Sequence, residues 1–393
     1  MQNNMTELTN RYPVSDAELN RRLDVTQAEM KKEGLDCLIV QCDSVIYDAN
    51  VRYFIDIRTD PKGTALIIPA SGKITMITHG PDNNNAPVPS WVRNVEKYIQ
   101  NHYCQPFPFT DNNSAKIVEA EIRSRGYKKV GLAGMQLMVY SFAAYLTRNL
   151  TDIEFVDFSD QLNMIQAVKS AEEWELITLA IQAHDKLNDC IPALIRPGRM
   201  EFEIYAEIQS AALKLGCEYM GNLTVYTTKP GIPGRDHYHG SRKIQYGDYI
   251  AILIEAAGPG GMYGEIARIF SLGEPVDELV EVWELSKEVQ HMIAAAAKPG
   301  VTGAELNRIF DEFAAKHGVA PNKRYIGHGQ GYDMMQAPAM CAGEQMVHKE
   351  DMLIAIHPNV IKGPFAGMCC DNFRVTKDGG VLLQKTPQKI FVV

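Results

Sequence analysis

Two glutamates and two histidines crowd into one stretch of the chain, Arg235 to Phe270. His237 and His239 come first, flanked by Asp236 and Arg242. An apolar run from Tyr249 to Ile254 then ends in a lone acid, Glu255. Gly258-Pro259-Gly260-Gly261 separates it from a second apolar run, whose lone acid is Glu265 and which begins beside Tyr263. A carboxylate is costly to bury in an apolar strand unless it is paired or has a chemical task. Ionised, it can attack an electrophilic carbon or take a proton from water, and a nearby imidazole can pass protons at neutral pH. Glu265 reads as functional on this ground. Glu255 alone is balanced between a working acid and a strand end facing water. His237 and His239 share one side of an extended chain, so their spacing does not separate them. Farther on, His328 lies in Gly327-His328-Gly329-Gln330-Gly331, and His357 precedes Pro358.

The elements that must carry these groups are legible as runs and punctuation. The two apolar runs around the Gly/Pro cluster predict a hairpin. Helices are predicted from Ser15 to Lys32, Ser141 to Leu150, Ser170 through Leu187, Glu201 to Leu215, Asp277 to Ala297 and Ala304 to His317. Strands are predicted at 36–40, 64–69, 73–77, 128–133, 352–356 and 373–375. Asn50 to Ile55 reads as a loop or helix start. Strands alternating with helices make the first 160 residues an α/β domain, followed by a linker near Asp160 to Lys169. Residues 161–393 form an α+β domain.

With 393 residues, two domains is the natural expectation. The 46% hydrophobic content is that of a globular chain. A formal charge of -9 without a Lys/Arg stripe excludes nucleic acid as a partner and suits a cationic or zwitterionic small molecule. The eight cysteines form no CxxC pair, so reduced thiols are expected, with Cys369-Cys370 as inert core. Neither a leader-like segment nor a bilayer-length run stands in the sequence, which points to a cytoplasmic protein with no membrane partner.

Several phrases fall in the order of one family. Ala167-Val168-Lys169-Ser170-Ala171-Glu172-Glu173, Arg235 to Gly240, Gly247-Asp248, Gly327 to Gly331, Asp351 to Pro358 and Thr376-Lys377-Asp378-Gly379 together resemble the pita-bread family of creatinase, aminopeptidase P, prolidase and methionine aminopeptidase. The resemblance covers nearly the whole chain. It implies a creatinase-like α/β N-terminal domain and a pita-bread catalytic domain. The family's metallopeptidases hold two metal ions with two Asp, one His and two Glu. Here an ungapped alignment sets Ile254 against the first Asp, with Glu255 one residue later, then Glu265, His328, His357 and Cys370 in the remaining places. Met335 and Gln336 stand where a second histidine and its following Glu belong. For Glu255 to face Glu265 despite the offset, a bulge is expected.

Too few hard oxygen ligands remain for a carboxylate-bridged metal pair, so no metal and no cofactor are expected. The resemblance then implies the metal-free, creatinase-like branch, and within it hydrolysis of the cyclic amidine ectoine to N-acetyl-2,4-diaminobutyrate. Glu255 would be nucleophile or general base, His237 the proton shuttle, and Glu265 the partner of the amidine. His357 and His328 would orient water or, protonated, bind the substrate carboxylate; Tyr263 and His239 are further substrate contacts. In creatinase-like homodimers the N-terminal domain reaches the neighbour's cleft, which adds Tyr53 and Phe54. The alternatives are creatinase or another amidine or guanidine C–N hydrolase, an Xaa-Pro dipeptidase, and a non-catalytic peptide-binding module.

Overall fold

The computed structural model describes residues 12–44, 48–58, 63–80, 83–101, 112–228, 242–320 and 324–393. The chain falls into two compact units, Met1–Gln166 and Ala167–Val393. In the first, α1 (Asp16–Lys32) starts at Ser15, whose side chain accepts from the Glu18 backbone N–H at 3.0 Å. There follow β1 (Cys37–Cys42), α2 (Ala49–Ile55), β2 (Thr64–Pro69), β3 (Ile74–His79), β4 (Asn83–Ala86) and β5 (Val95–Asn101). Next come α3 (Asn112–Arg125), β6 (Lys129–Ala133), α4 (Tyr140–Asn149), β7 (Glu154–Asp157) and α5 (Ser159–Ala167). The strands form one mixed sheet in the order β4-β5-β3-β2-β1-β6-β7. Its central strands β1 and β2 are buried at every position because both faces are covered. Leu38, Val40, Leu66 and Ile68 pack with residues of α1 and α2, while Ile39 and Ile67 pack with residues of α3 and α4.

Two expectations are corrected in this unit. Tyr53 and Phe54 lie on α2 in its core, 2% and 0% exposed, with their rings edge to face at 5.3 Å. Packed so, neither has surface to offer a substrate, its own or a neighbour's. The linker near Asp160 to Lys169 is largely helical, because Phe158 and Leu162 are core residues that hold α5 in place.

The second unit runs α6 (Ala171–Leu194), α7 (Glu201–Lys214), β8 (Tyr219–Thr228), β9 (Tyr249–Ala257), β10 (Tyr263–Ser271), α8 (Asp277–Ala296) and α9 (Gly303–His317). The short strands β11 (Gly327–Gly329), β12 (Gln336–Ala339), β13 (Leu353–Ile356), β14 (Asn359–Lys362), β15 (Phe365–Met368), β16 (Asp371–Thr376), β17 (Gly379–Leu382) and β18 (Phe391–Val392) complete it. One sheet has the order β18-β10-β9-β8, another β12-β11-β13-β16-β17, and β14-β15 stand as a pair. The two larger sheets meet where Ala267 of β10 bridges Cys370, next to β16. Among the described residues no helix is long and apolar enough to cross a membrane.

Candidate active site

The predicted hairpin is β9 and β10, and its register decides which side chains share a face. Glu255 stands opposite Glu265, and Asn222 of β8 stands opposite Glu255. Directly opposed residues point the same way, so Asn222, Glu255 and Glu265 form a row across three strands. Ile250, Ile252, Ile254 and Ala256 take the other face and pack with Ile266, Phe270 and residues of α6 and α7. A slip of one residue would drive both acids into that apolar layer. The expected bulge in β9 is corrected: the irregularity lies in β8, between Met220 and Asn222. A Cβ on the intervening Gly221 would come within 2.7 Å of the Tyr263 ring, so the bulge and its glycine make room for that ring. Nor does Glu255 end its strand, which runs on to Ala257.

Helix α6 fixes the hairpin from the far side. Its start is a reciprocal cap, the Ser170 side chain accepting from the Glu173 N–H and the Glu173 carboxylate accepting from the Ser170 N–H. One turn of α6 carries His184, whose Nδ1 donates to the Ala180 carbonyl at 2.7 Å while Nε2 accepts from the Ala256 N–H at 3.3 Å. Gly258 and Gly264 let the hairpin lie directly on this helix, since a Cβ on them would meet Ala180 at 2.5 Å and His184 at 2.8 Å.

Glu265 is the best-connected side chain of the row. Gln330 Nε2 donates to its Oε2 at 3.0 Å, and the Cys370 thiol donates to its Oε1 at 2.9 Å. His328 Nε2 lies 3.5 Å from Oε2, and the other ring nitrogen donates to the Gly329 carbonyl at 3.0 Å. Asn222 Nδ2 donates to Glu255 Oε2 at 2.5 Å, and the two glutamates hydrogen-bond each other. Both acids are almost fully enclosed, at 6% and 2% exposure. Burial raises Glu255, against the pull of Asn222, Glu265 and the Arg324 charge. Burial and the charge of Glu255 raise Glu265 well above the usual carboxyl range. Burial thus disfavours charge on both carboxyls, and more strongly on Glu265, which also faces the charge of Glu255.

The rings of His328 and His357 stand 5.1 Å apart, and Tyr325 meets each edge-on at 5.5 and 5.4 Å. Burial brings His328 down to about 4 and, helped by the neighbouring His328 and Arg324, brings His357 down to about 3. Burial thus favours the neutral form of both, which weighs for the first of their two expected roles, orienting water, over binding a carboxylate as cations. Tyr263 is buried on the same face of β10 as Glu265, with its N–H bonded to the Gly331 carbonyl at 2.8 Å. His237 and His239 lie outside the described residues.

The structure thus brings Glu255, Glu265, His328 and His357 together and removes Tyr53 and Phe54. It adds Asn222, Gln330, Asn372, Cys370 and Arg324. Cys370 is buried as expected, yet it touches Glu265 instead of packing inertly, and burial keeps its thiol protonated. The amides carried no signal in the sequence because an amide gains meaning from its partner, and Gln330 lies 65 residues from Glu265.

Glu265, His328 and His357 offer ligand atoms within 4.8 Å of one another, a set suited to one ion of intermediate softness. They do not fit a pair of hard ions. Such a pair needs bridging carboxylates, and here the imidazole of His357 and the thiol of Cys370 stand where two of the four carboxylates would, while His328 keeps the place of the family's histidine.

Residues 175–382 match the model described as metallopeptidase family M24, and residues 22–168 match that of the creatinase/prolidase N-terminal domain. The chain is 26% identical over 239 residues to a probable dipeptidase PepE of Mycobacterium tuberculosis, covering 60% of this chain and 63% of that protein. It is 25% identical over 276 residues to an Xaa-Pro dipeptidase of Pyrococcus horikoshii, covering 67% of this chain and 75% of that one. The crystal structure of dipeptidase PepE from Mycobacterium ulcerans superposes with a TM-score of 0.80 at 22% identity, covering 97% and 99% of the two chains. The architecture is accordingly creatinase- and aminopeptidase P-like: an α/β N-terminal domain followed by an α+β pita-bread domain. With the family pattern running through the hairpin, His328 and the strands beneath them, the chain belongs to metallopeptidase family M24.

Proposed function

We propose that this hydrolase opens a cyclic amidine, ectoine, to N-acetyl-2,4-diaminobutyrate, using the Glu255–Glu265 pair in place of a metal pair. The observation that carries this reading is the buried pair itself, Glu255 opposite Glu265 on neighbouring strands, set among donors that do not fit two hard ions. An amidinium is already electrophilic and cationic, so it needs no Lewis acid and is drawn to a buried carboxylate. Glu255 adds to the amidinium carbon, or takes a proton from the water that does, and the π electrons of that carbon move onto nitrogen. The C–N bond then breaks as a proton reaches the departing amine, a task given to His237. If Glu255 has bonded to the carbon, water displaces it in a second step. Glu265 holds the second amidine nitrogen. Tyr263 and His239 remain proposed contacts, and neutral His328 and His357 orient water. Arg324, exposed beside Tyr325 and with its charge felt at both Glu255 and His357, takes the substrate carboxylate. A homodimer, by resemblance to creatinase, goes with this reading.

The names of the relatives favour a second reading, cleavage of an Xaa-Pro dipeptide. The two are separated by incubating the protein with ectoine and with alanyl-proline and following both by proton NMR. The expected result is replacement of the ring resonances by those of the acetylated diamino acid, with the dipeptide intact. Cleaved dipeptide beside untouched ectoine would overturn the proposal in favour of the second reading.

A further inference from the structure

A chain of three buried side-chain amides ends on Glu265, and its direction is fixed by the backbone of Glu265 itself. An amide side chain can present either end to a neighbour, so its orientation needs an anchor. Here two donors converge on one atom of Asn372: the Glu265 N–H at 2.7 Å and Gln384 Nε2 at 2.9 Å. That atom must be the carbonyl oxygen Oδ1. Asn372 therefore turns its NH2 group to Gln330 Oε1, at 2.6 Å, and Gln330 turns its own NH2 group to Glu265 Oε2, at 3.0 Å. Gln384 is oriented in the same way, its Oε1 accepting from the Asn372 N–H at 2.8 Å and its Nε2 also donating to the Glu265 carbonyl at 2.8 Å. All three amides are buried, so an end turned the wrong way would have no water to meet.

We infer that Gln330, aimed by Asn372 and Gln384, is a positioning residue that sets the plane of the Glu265 carboxyl group against Glu255. The inference rests on the function proposed above, in which these two glutamates do the work. With Gln330 on Oε2 and Cys370 on Oε1, Glu265 is gripped at both oxygens before substrate arrives. Asn372 acts only through Gln330. Reversing Asn372 should therefore reverse the group that Glu265 meets.

The test is a double-variant cycle on ectoine opening. Gln330→Met keeps the length of the side chain and removes the donor. Asn372→Asp removes the donor to Gln330 Oε1, so Gln330 turns its NH2 group to the new carboxylate and its carbonyl to Glu265. Each variant is expected to lower kcat on the order of 10²-fold, the scale of a misplaced catalytic group, with KM within about threefold of wild type. The double variant should be no slower than the slower single variant, because both act through one hydrogen bond. Multiplying losses, or a raised KM with kcat intact, would overturn the role. If Asn372→Asp does not fold, the kcat and KM of Gln330→Met decide alone. Wild-type protein that leaves ectoine untouched overturns the proposed function, and this role with it, before any variant is compared.

Discussion

Glu255 and Glu265 differ in what surrounds them, and that difference divides their labour. Glu255 has Asn222 and the field of Arg324 to favour its charge, whereas Glu265 has the charge of Glu255 against it. A carboxyl group whose pKa is raised on folding contributes stability below its unfolded value and loses it as pH rises through the folded one. Glu265→Gln should therefore melt higher than wild type at pH 8 while opening no ectoine; a lower melting temperature there would contradict the raised pKa of Glu265. His328 has the opposite sign. Its pKa falls from 6.5 to about 4, so the stability it contributes is present above pH 6.5 and lost as pH falls toward 4. At about 1.4 kcal/mol per unit, the full loss is on the order of 3 kcal/mol. His328→Gln should lose less stability than wild type between pH 7 and pH 4, which denaturant melts would show. At this scale the sequence revealed the lone acids and the glycine-flanked histidine, because each is a polar group in a setting hostile to it. It did not reveal Gln330, Asn372 or Arg324, whose types are ordinary wherever they stand.

At the scale of elements, the hairpin works because α6 holds its back. Most helices and the strands β1, β2, β3, β6, β9, β10, β13 and β16 were legible from periodicity, whereas α3, β8 and the remaining strands were not, and two readings are displaced. The offset at Ile254 suggested a bulge in β9, whereas pairing of β9 with β10 runs without interruption and β8 absorbs the irregularity. The stretch taken for a linker is helical because Phe158 and Leu162 find a core, which local composition does not announce. Close approach to α6 makes its own prediction. Gly258→Ala sets a methyl group 2.5 Å from the Ala180 backbone and should cost about 1–3 kcal/mol of overpacking, read as a lower unfolding midpoint. An unchanged midpoint would mean that the hairpin is not seated on the helix as described.

At the scale of the whole molecule, two units and a family pattern were legible from length and from motif order. The joint between the two larger sheets of the second unit was not. There Arg268 donates to the carbonyls of Ala267, Cys370, Thr386 and Pro387, and pairs with Asp371 at 2.6 Å with both side chains fully enclosed. Gln290 and Gln388 donate to the other oxygen of Asp371, so the pair is hydrogen-bonded as well as charged. Removing one partner of such a pair leaves a buried charge and costs about 3–5 kcal/mol. Asp371→Ala should lose that much in denaturant titration, and should weaken activity by releasing the neighbouring Cys370 and Asn372 from Glu265. The joint thus links stability to the site.

The most direct measurement is the rate of ectoine opening by protein stripped of metal with a chelator and checked by elemental analysis, beside Glu255→Gln treated alike. A carboxylate mechanism keeps the wild-type rate unchanged after stripping and lowers that of the variant by roughly 10²–10⁴-fold, the range for loss of a catalytic acid or base. Activity that vanishes with the chelator and returns with manganese, whichever residue stands at 255, would contradict it.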